Sequence, residues 1–229
     1  MGGETTLTRR TLLGTALLLN AVPALAVGRS AKRISLLTRP TATDRATFVN
    51  KWMELARSRS GVAPRHLVLS EVMGGGEGDP FDAFATIWSS ARTVPLLPTV
   101  PGSNALDLTV YEHVFAPPDR SQVHVKRTLL IARKPALTHD AFVRYWLAIH
   151  GPLSRGVPGL AGCVFNVVDE RDAASSGIDG IAESWWTGAG TEQGGKVRSP
   201  QADRWAADGA NFIEDAKTRL LLTRDHVLR

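Results

Sequence analysis

The feature that most constrains the fold of this chain is a similarity between its first and second halves. At an offset of 94 residues, Phe48 falls on Phe142 and Trp52 falls on Trp146. Two further matches follow in the same order along the chain, at 82–90 with 179–187 and at 109–115 with 222–228. Matches that keep their order are typical of a duplicated structural unit. The sequence therefore predicts a tandem repeat.

Each copy predicts the same order of elements. An apolar strand leads to an amphipathic helix, two more strands follow, and a connecting segment precedes the last strand. That segment predicts a helix in the second copy, where Ser199 and Pro200 suit the N-cap and first helical positions. In the first copy, the prolines of 92–105 favour a loop. The resulting β-α-β-β-α-β order is the ferredoxin-like arrangement, an antiparallel sheet with helices on one face.

Such a sheet leaves its other face bare, and two copies can cover each other. We therefore expect an α+β protein in which two ferredoxin-like repeats form an intramolecular dimeric α/β barrel. The first repeat covers 30–117, the second covers 122–229, and 115–123 is the linker between them.

Residues 1–26 have the pattern of an export signal peptide. An arginine pair at 9–10 precedes an apolar stretch, and a small-residue motif at 24–26 ends it. The start of this segment resembles a twin-arginine signal, and an ordinary secretory signal is the alternative. The apolar stretch is too short for a stable transmembrane helix. We therefore expect an exported protein, periplasmic or secreted, that keeps no stable membrane anchor after cleavage.

The second copy carries a set of motifs in a fixed order. Its predicted helix contains Phe-x-x-Tyr-Trp and ends in His-Gly-Pro, and Asp-Gly-Ile-Ala-Glu follows further on. This pattern resembles the EthD family of the dimeric α/β-barrel superfamily. The matching residues are Phe142, Tyr145, Trp146, His150, Gly151, Pro152, Asp179, Gly180, Ala182 and Glu183. The resemblance covers 124–229, whereas the first copy lacks the His-Gly-Pro element and is degenerate.

His150 is the first candidate catalytic residue. It follows Trp146 by four positions, on or beside the apolar stripe that faces the sheet. A structural interpretation competes, because a histidine in a last turn complements the helix dipole. Gly151 would then supply the left-handed residue after the helix, and Pro152 would prevent its continuation. The aligned residues 56–58 of the first copy lack these types, so the architecture alone does not require them.

Glu183 is the second candidate catalytic residue. Alternation along its strand places Ile181, Glu183 and Trp185 on one face, where a carboxylate would be partly buried. His150 could be its partner in an acid–base pair between helix and sheet. The first copy has Thr86 at the aligned position, so both members of the pair are absent there together. A strand glutamate paired with an arginine at the rim is the alternative.

Five aromatic or polar side chains of the second copy are candidate ligand-binding residues. Tyr145 and Asn166 can donate hydrogen bonds, and the large aromatic residues can form pocket walls or core. The candidates are Phe142, Tyr145, Trp146, Asn166 and Trp185.

Several classes of site are disfavoured by the sequence. The net charge of +5 is not concentrated in a basic cluster, which argues against nucleic-acid binding. The six histidines include no pair four residues apart, so we expect no metal site. The single cysteine, Cys163, lies in an apolar run and is expected to be buried. The segment 190–196 has the spacing of a phosphate loop but lacks its Ser or Thr.

The family resemblance implies an oxidoreductase acting on a small hydrophobic molecule, aromatic or of polyketide type. Relatives in the superfamily include monooxygenases that need no cofactor, and we expect none here. His150, assisted by Glu183, would remove a proton, and the carbanion or enolate would then react with oxygen. A homo-oligomer is compatible with the sequence.

Three alternatives remain open at this point. The chain could bind a hydrophobic molecule without turning it over, or have a purely structural or interaction role. It could also bind haem through His150, since dye-decolorizing peroxidases and chlorite dismutases use related fused repeats.

Overall fold

The structure is a computed structural model that describes residues 31–58, 66–73, 79–89, 97, 99–119, 121, 123–188 and 199–228. In these ranges the strands are β1 (Ala31–Thr38), β2 (His66–Val72), β3 (Ala83–Ser89), β4 (Asn104–Ala116), β5 (Val123–Ile131), β6 (Leu160–Val168), β7 (Gly180–Thr187) and β8 (Arg219–Val227). The α-helices are α1 (Arg45–Ser58), α2 (His139–Tyr145), α3 (Glu170–Ser176) and α4 (Pro200–Asp208). The predicted export signal and part of the predicted loop at 92–105, namely 92–96 and 98, lie outside the described residues.

The eight strands form one closed antiparallel barrel. Their order around it is β1-β3-β2-β8-β5-β7-β6-β4. The first four strands are therefore ordered 4-1-3-2 and the last four 8-5-7-6. The two sets meet where β2 pairs with β8 and where β4 pairs with β6. The predicted α/β barrel is confirmed in the described part of the chain.

The barrel has an interior, and helices cover parts of its outer face. Ile34 and Leu108 of the first half meet Ile181 and Leu221 of the second half in the interior core. The neighbour of Ile181 on β7, Ala182, instead contacts the cluster beneath α2. Alternation thus places Glu183 with Ile181 in the interior, away from the helices. The prediction that Ile181 and Glu183 share a face of β7 is correct. Because both faces of this strand are buried, the alternation of residues could not show which face contacts α2.

Helix α1 covers the first half of the barrel. Asp44 caps it by accepting a hydrogen bond from the backbone N–H of Thr47, at 2.9 Å, as its position before the helix predicts. Phe48 and Trp52, four residues apart, are both buried against the outer face of β1, β2 and β3. The predicted aromatic pair is therefore the contact that fixes this helix on the sheet.

Helix α2 covers the second half and does not stop at His150. Thr138 caps it by accepting from the N–H of Ala141, at 3.1 Å. The chain then continues as a π-helical turn at Trp146–His150 and a 3₁₀ turn at Gly151–Ser154. The π turn adds a residue to the winding, which leaves Ile149 half exposed while His150 is buried.

Gly151 is not the left-handed helix-ending residue that the sequence suggested. Its φ of −55° is right-handed, and the left-handed glycines that follow are Gly156 and Gly159, each with φ of 75°. A Cβ at Gly151 would overlap ring carbons of Phe115 on β4. Pro152 sits at the start of the 3₁₀ turn, where its missing N–H is tolerated. Glycine is needed here for close approach of another strand, a reason that local sequence does not display.

The last two helices differ in how well the sequence predicted them. Ser199 accepts from the N–H of Ala202 at 3.0 Å and Pro200 opens α4, as expected. The short α3 was not predicted, although Asp169 caps its start and Gly177 ends it with φ of 74°. None of the helices in the described ranges is long and apolar enough to cross a membrane.

Candidate functional site

A cavity of about 190 Å³ lies between the α2 segment, α4 and the outer face of the barrel. Leu129, Phe165 and Ala182 line its floor on three neighbouring strands. Trp146 and His150 line it from the helical side, and Trp205 lines it from α4. The cavity is mostly apolar, which suits a small hydrophobic or aromatic molecule.

His150 contributes a polar group to the cavity wall and pairs with a residue of α4. Its Nδ1 lies 2.8 Å from Oδ2 of Asp208. The imidazole is buried and surrounded by rings, with centroids 5.9 Å from Phe165, 5.8 Å from Trp205 and 4.7 Å from Phe212. The aromatic contacts and the carboxylate together fix the orientation of the imidazole.

Asp208 is held by three hydrogen-bond donors. Tyr145 donates its hydroxyl to Oδ1 at 2.8 Å, Asn211 donates its amide to the same oxygen at 3.0 Å, and His150 engages Oδ2. Burial raises the pKa of Asp208, but these hydrogen bonds outweigh it and hold the pKa below its ordinary value. Asp208 is therefore an ionised acceptor, and Nδ1 of His150 carries the hydrogen between them.

Tyr145 serves Asp208 rather than facing a ligand directly. Its hydroxyl donates to Asp208 and accepts from the amide of Asn211 at 2.9 Å. The hydrogen bond to Asp208, together with burial, raises the pKa of Tyr145, which keeps its hydrogen available for donation. Phe142, another predicted ligand contact, is fully buried and stacks on Trp146 with centroids 5.2 Å apart. It supports the cavity wall from behind.

Glu183 does not pair with His150. Its carboxylate lies inside the barrel, with Oε1 2.7 Å from Nζ of Lys126 and Oε2 3.6 Å from Nζ of Lys32. Asn166 donates its amide to Oε2 at 2.9 Å. Burial raises the pKa of Glu183, but the two ammonium groups outweigh it and lower the pKa to about 2. The acid–base pair predicted between His150 and Glu183 is therefore wrong.

The interior ion network uses two of the predicted ligand-binding residues. Asn166 accepts from Nζ of Lys32 at 2.6 Å, and Lys126 also contacts Asp225, at 2.7 Å. Trp185 donates its indole N–H to Asp225 at 3.2 Å, and its ring lies 4.9 Å from Nζ of Lys126. Asn166 and Trp185 thus belong to the barrel interior rather than to the cavity beside His150.

Asp208 and Asn211 were not predicted from the sequence as residues of this site. His150 and Asp208 are 58 residues apart and come from different helices, so no local motif joins them. Helix α4 was predicted, but its last residue carried no signal that it would approach α2. Asp208 also sits at a helix C-terminus, where the helix dipole disfavours a carboxylate. That placement is a clue, because only specific partners make it favourable.

Metal binding and thiol chemistry find little support in the described residues. Among them, no group of three or more His, Cys, Asp or Glu side chains is placed to hold a metal ion. Cys163 lines the cavity, and burial raises the pKa of its thiol to about 12, so the thiol stays neutral.

Comparison with protein families identifies the same part of the chain. Residues 134–216 match the EthD domain model, a range that holds the α2 segment, His150 and Asp208. No curated protein matches the chain significantly.

Similar solved structures cover most of the chain. An anthrone oxidase-like protein has a TM-score of 0.57 and 10% identity, and the match covers 89% of this chain and 95% of that one. A "putative monooxygenase" from Lactobacillus acidophilus NCFM has a TM-score of 0.50 and 11% identity, covering 87% and 95%. Another, from Fusobacterium nucleatum subsp. nucleatum, has a TM-score of 0.51 and 10% identity, covering 87% and 94%. The chain thus has the α/β-barrel fold of these proteins and contains an EthD domain match at 134–216.

Proposed function

We propose that this protein is an oxidoreductase of the monooxygenase type that needs no cofactor. Its substrate is a small aromatic or polyketide-type molecule bound in the cavity beside His150. The observation that carries the proposal is the pairing of Asp208 with the buried His150, whose imidazole lines a mostly apolar cavity. Asp208 takes the place that the sequence analysis gave to Glu183.

The geometry supports His150 as a general base. The partly buried carboxylate of Asp208 engages Nδ1, which fixes the tautomer and stabilises the imidazolium that forms when the ring accepts a proton. Because Asp208 engages Nδ1, proton exchange with a ligand would take place at Nε2. Tyr145 and Asn211 keep Asp208 ionised and correctly placed, so they act as positioning residues.

The proposed reaction balances with dioxygen as the only oxidant. His150 takes a proton from a methylene group that neighbouring rings or a carbonyl activate, which leaves a carbanion or enolate. Dioxygen accepts four electrons: one oxygen atom becomes the carbonyl that replaces the methylene, and the other leaves as water with the two methylene hydrogens. An apolar cavity favours this chemistry because it excludes water from the reactive carbanion.

Anthrone is a suitable first probe, because one solved relative in fold is described as anthrone oxidase-like. We expect the wild type to convert anthrone and dioxygen to anthraquinone and water faster than buffer alone. His150→Gln should reduce this rate by about 100-fold or more, the usual contribution of a general base. Asp208→Asn should reduce it as well, because it removes the anion that stabilises the imidazolium. Oxygen consumption and product formation measure both.

Matched controls separate this role from general damage. His226→Gln changes a histidine that pairs with Glu71 on the barrel surface, 3.0 Å away. Asp140→Asn changes an exposed carboxylate on α2. Both should keep the wild-type rate. Equal rates for His150→Gln and the wild type would contradict the assignment of His150 as the base.

Two alternatives have distinct outcomes. A binding protein without turnover would hold aromatic molecules in the cavity and show no rate above buffer. A haem protein would show a Soret band after purification. The cavity of about 190 Å³ is smaller than the roughly 300–1,000 Å³ of pockets for drug-sized ligands, which favours a molecule smaller than haem.

We also propose that the chain arose by duplication and is exported. Identical strand order in 30–117 and 122–229 supports duplication. The charged, then apolar, then small-residue pattern of 1–26 supports export. Cell fractionation, with the mature N-terminus determined by mass spectrometry, tests the export proposal.

A further inference from the structure

Arg127 is a charged residue of the cavity that the proposed reaction does not use. It lies on β5, beside the cavity-lining Leu129 and on the same outer face, and its side chain lines the cavity. The side chain is partly buried, and its Nε is buried without a hydrogen-bond partner. In the described part of the chain, no carboxylate forms an ion pair with it. Burial lowers the pKa of Arg127, as expected for a cation that loses water without gaining an anion.

The other ionisable side chains that line the cavity do not compensate this charge. His150 is engaged with Asp208, and the thiol of Cys163 is neutral. The carboxylate of Glu183 pairs with Lys126 inside the barrel. The cavity walls are therefore rich in donors and poor in acceptors.

A partly buried guanidinium without a counter-ion is unfavourable, because desolvation is not repaid by an ion pair. Its planar fork of N–H donors matches the two oxygens of a carboxylate. We propose that Arg127 binds the carboxylate of the ligand, so that the substrate class of this cavity is aromatic carboxylates. This inference rests on the cavity named in the proposed function and adds the chemical class of its ligand.

The sheet places Arg127 and His150 at different ends of the cavity floor. Arg127 pairs with Ser184 on β7, which pairs with Cys163 on β6. His150 stacks on Phe165, two residues further along β6. The backbones of Arg127 and Phe165 are therefore two strands apart, or roughly 10 Å across the sheet. They are also two residues apart along the strands, or roughly 7 Å. A fused aromatic ring system fits this separation, with its carboxylate at Arg127 and its reacting carbon near His150.

Binding of 2-naphthoate and of neutral 2-naphthamide tests the inference without requiring turnover. Isothermal titration should show that the wild type binds 2-naphthoate about 10- to 100-fold more tightly, the range expected for a hydrogen-bonded charge pair. Arg127→Met should remove this preference by lowering the affinity for 2-naphthoate without changing the affinity for 2-naphthamide. Arg127→Lys should keep part of it, because an ammonium keeps the charge but not the fork.

Arg33 offers a matched control. It occupies the position of Arg127 in the first half, at an offset of 94 residues, on β1. Arg33→Met makes the same chemical change outside the cavity and should leave the preference for 2-naphthoate intact. Thermal unfolding checks that each variant is folded.

The outcomes distinguish this inference from the proposed function. Equal affinity of the wild type for the two probes, or binding of neither, overturns the inference even if Arg127→Met fails to fold. So does an Arg127→Met variant that is folded and keeps the preference. His150→Gln should retain the preference, because Arg127 sets it; a preference in a protein without oxidase activity would support this inference and contradict the proposed reaction.

Discussion

Glu183 links two lysines that come from different halves of the chain. Lys32 is on β1, Lys126 is on β5, and the carboxylate on β7 lies between their ammonium groups in the barrel interior. Each lysine also has a carboxylate partner of its own, since Lys32 pairs with Glu112 and Lys126 pairs with Asp225. Glu183 is therefore the shared anion that joins these two ion pairs. Its role in this structure is therefore to hold the interior together.

Glu183→Gln should destabilise the protein while keeping nearly the same side-chain volume at this position. We expect a loss of about 2 kcal/mol in the free energy of unfolding at neutral pH, since a hydrogen bond to a charged group contributes roughly 1.5–3 kcal/mol. Chemical denaturation measures the loss. Glu170→Gln, an exposed change on α3, is the matched control and should cost little. A variant of wild-type stability would show that the network contributes nothing.

The same residue predicts how stability depends on pH. The folded pKa of about 2 lies below the ordinary value of 4.5, so the folded state resists protonation more than the unfolded state. The stabilisation from Glu183 is complete above about pH 5 and is lost as the pH falls towards 2. The unfolding free energy of Glu183→Gln should therefore fall less steeply over this range than that of the wild type.

At this scale, the sequence predicted which residues share a face but not what each face contacts. Strand alternation correctly grouped Glu183 with Trp185. Both faces of β7 are buried, so hydrophobicity could not separate interior from exterior. His150 was correctly placed on the buried side of its helix, but its partner Asp208 required the tertiary structure.

The α2 segment shows how an element can depend on contacts that are distant in sequence. Its buried residues Phe142 and Trp146 lie on the amphipathic helix that the local pattern predicted. The π-helical turn that follows was not predicted, because it has no residue signature comparable to a cap. The turn places His150 over Phe165, and Gly151 lets the segment approach Phe115 closely.

Gly151→Ala tests this close approach. The added Cβ overlaps the ring of Phe115, and overpacking a core contact costs typically 1–3 kcal/mol. The chemical-denaturation midpoint should fall accordingly. Gly209→Ala is the control, since its Cβ meets only the flexible end of Ile213, at 3.3 Å.

Combining Gly151→Ala with Phe115→Ala shows whether overlap with the Phe115 ring causes the loss of stability. If the ring is responsible, the double variant should lose less stability than the sum of the two single variants. Additive losses would locate the strain elsewhere in the turn.

The whole molecule depends on contact between its two halves. Ile34 and Leu108 pack against Ile181 and Leu221 in the interior, so neither half can bury its inner face alone. The internal similarity was enough to predict this arrangement, because two half-covered sheets have one obvious way to cover each other. The cavity beside His150 depends on finer detail, and its polar residues could be named only in part.

Cleavage of the connection between β4 and β5 should leave the barrel intact. A protease site inserted within 117–122 would allow the folded protein to be nicked there. We expect the two fragments to elute together in size-exclusion chromatography and to separate only in denaturant. An insertion of equal length without the cleavage sequence is the control. Fragments that separate under native conditions and each remain folded would contradict this dependence.

Closure of the barrel also bears on aggregation. Every described strand has a partner on both sides, so the native sheet presents no free edge to another molecule. Parting of β2 from β8 and of β4 from β6 would create four edges and uncover the apolar inner faces in the same event. The β2–β8 and β4–β6 pairings therefore protect the protein against self-association. The rate at which it aggregates in solution should depend on how often these two pairings open.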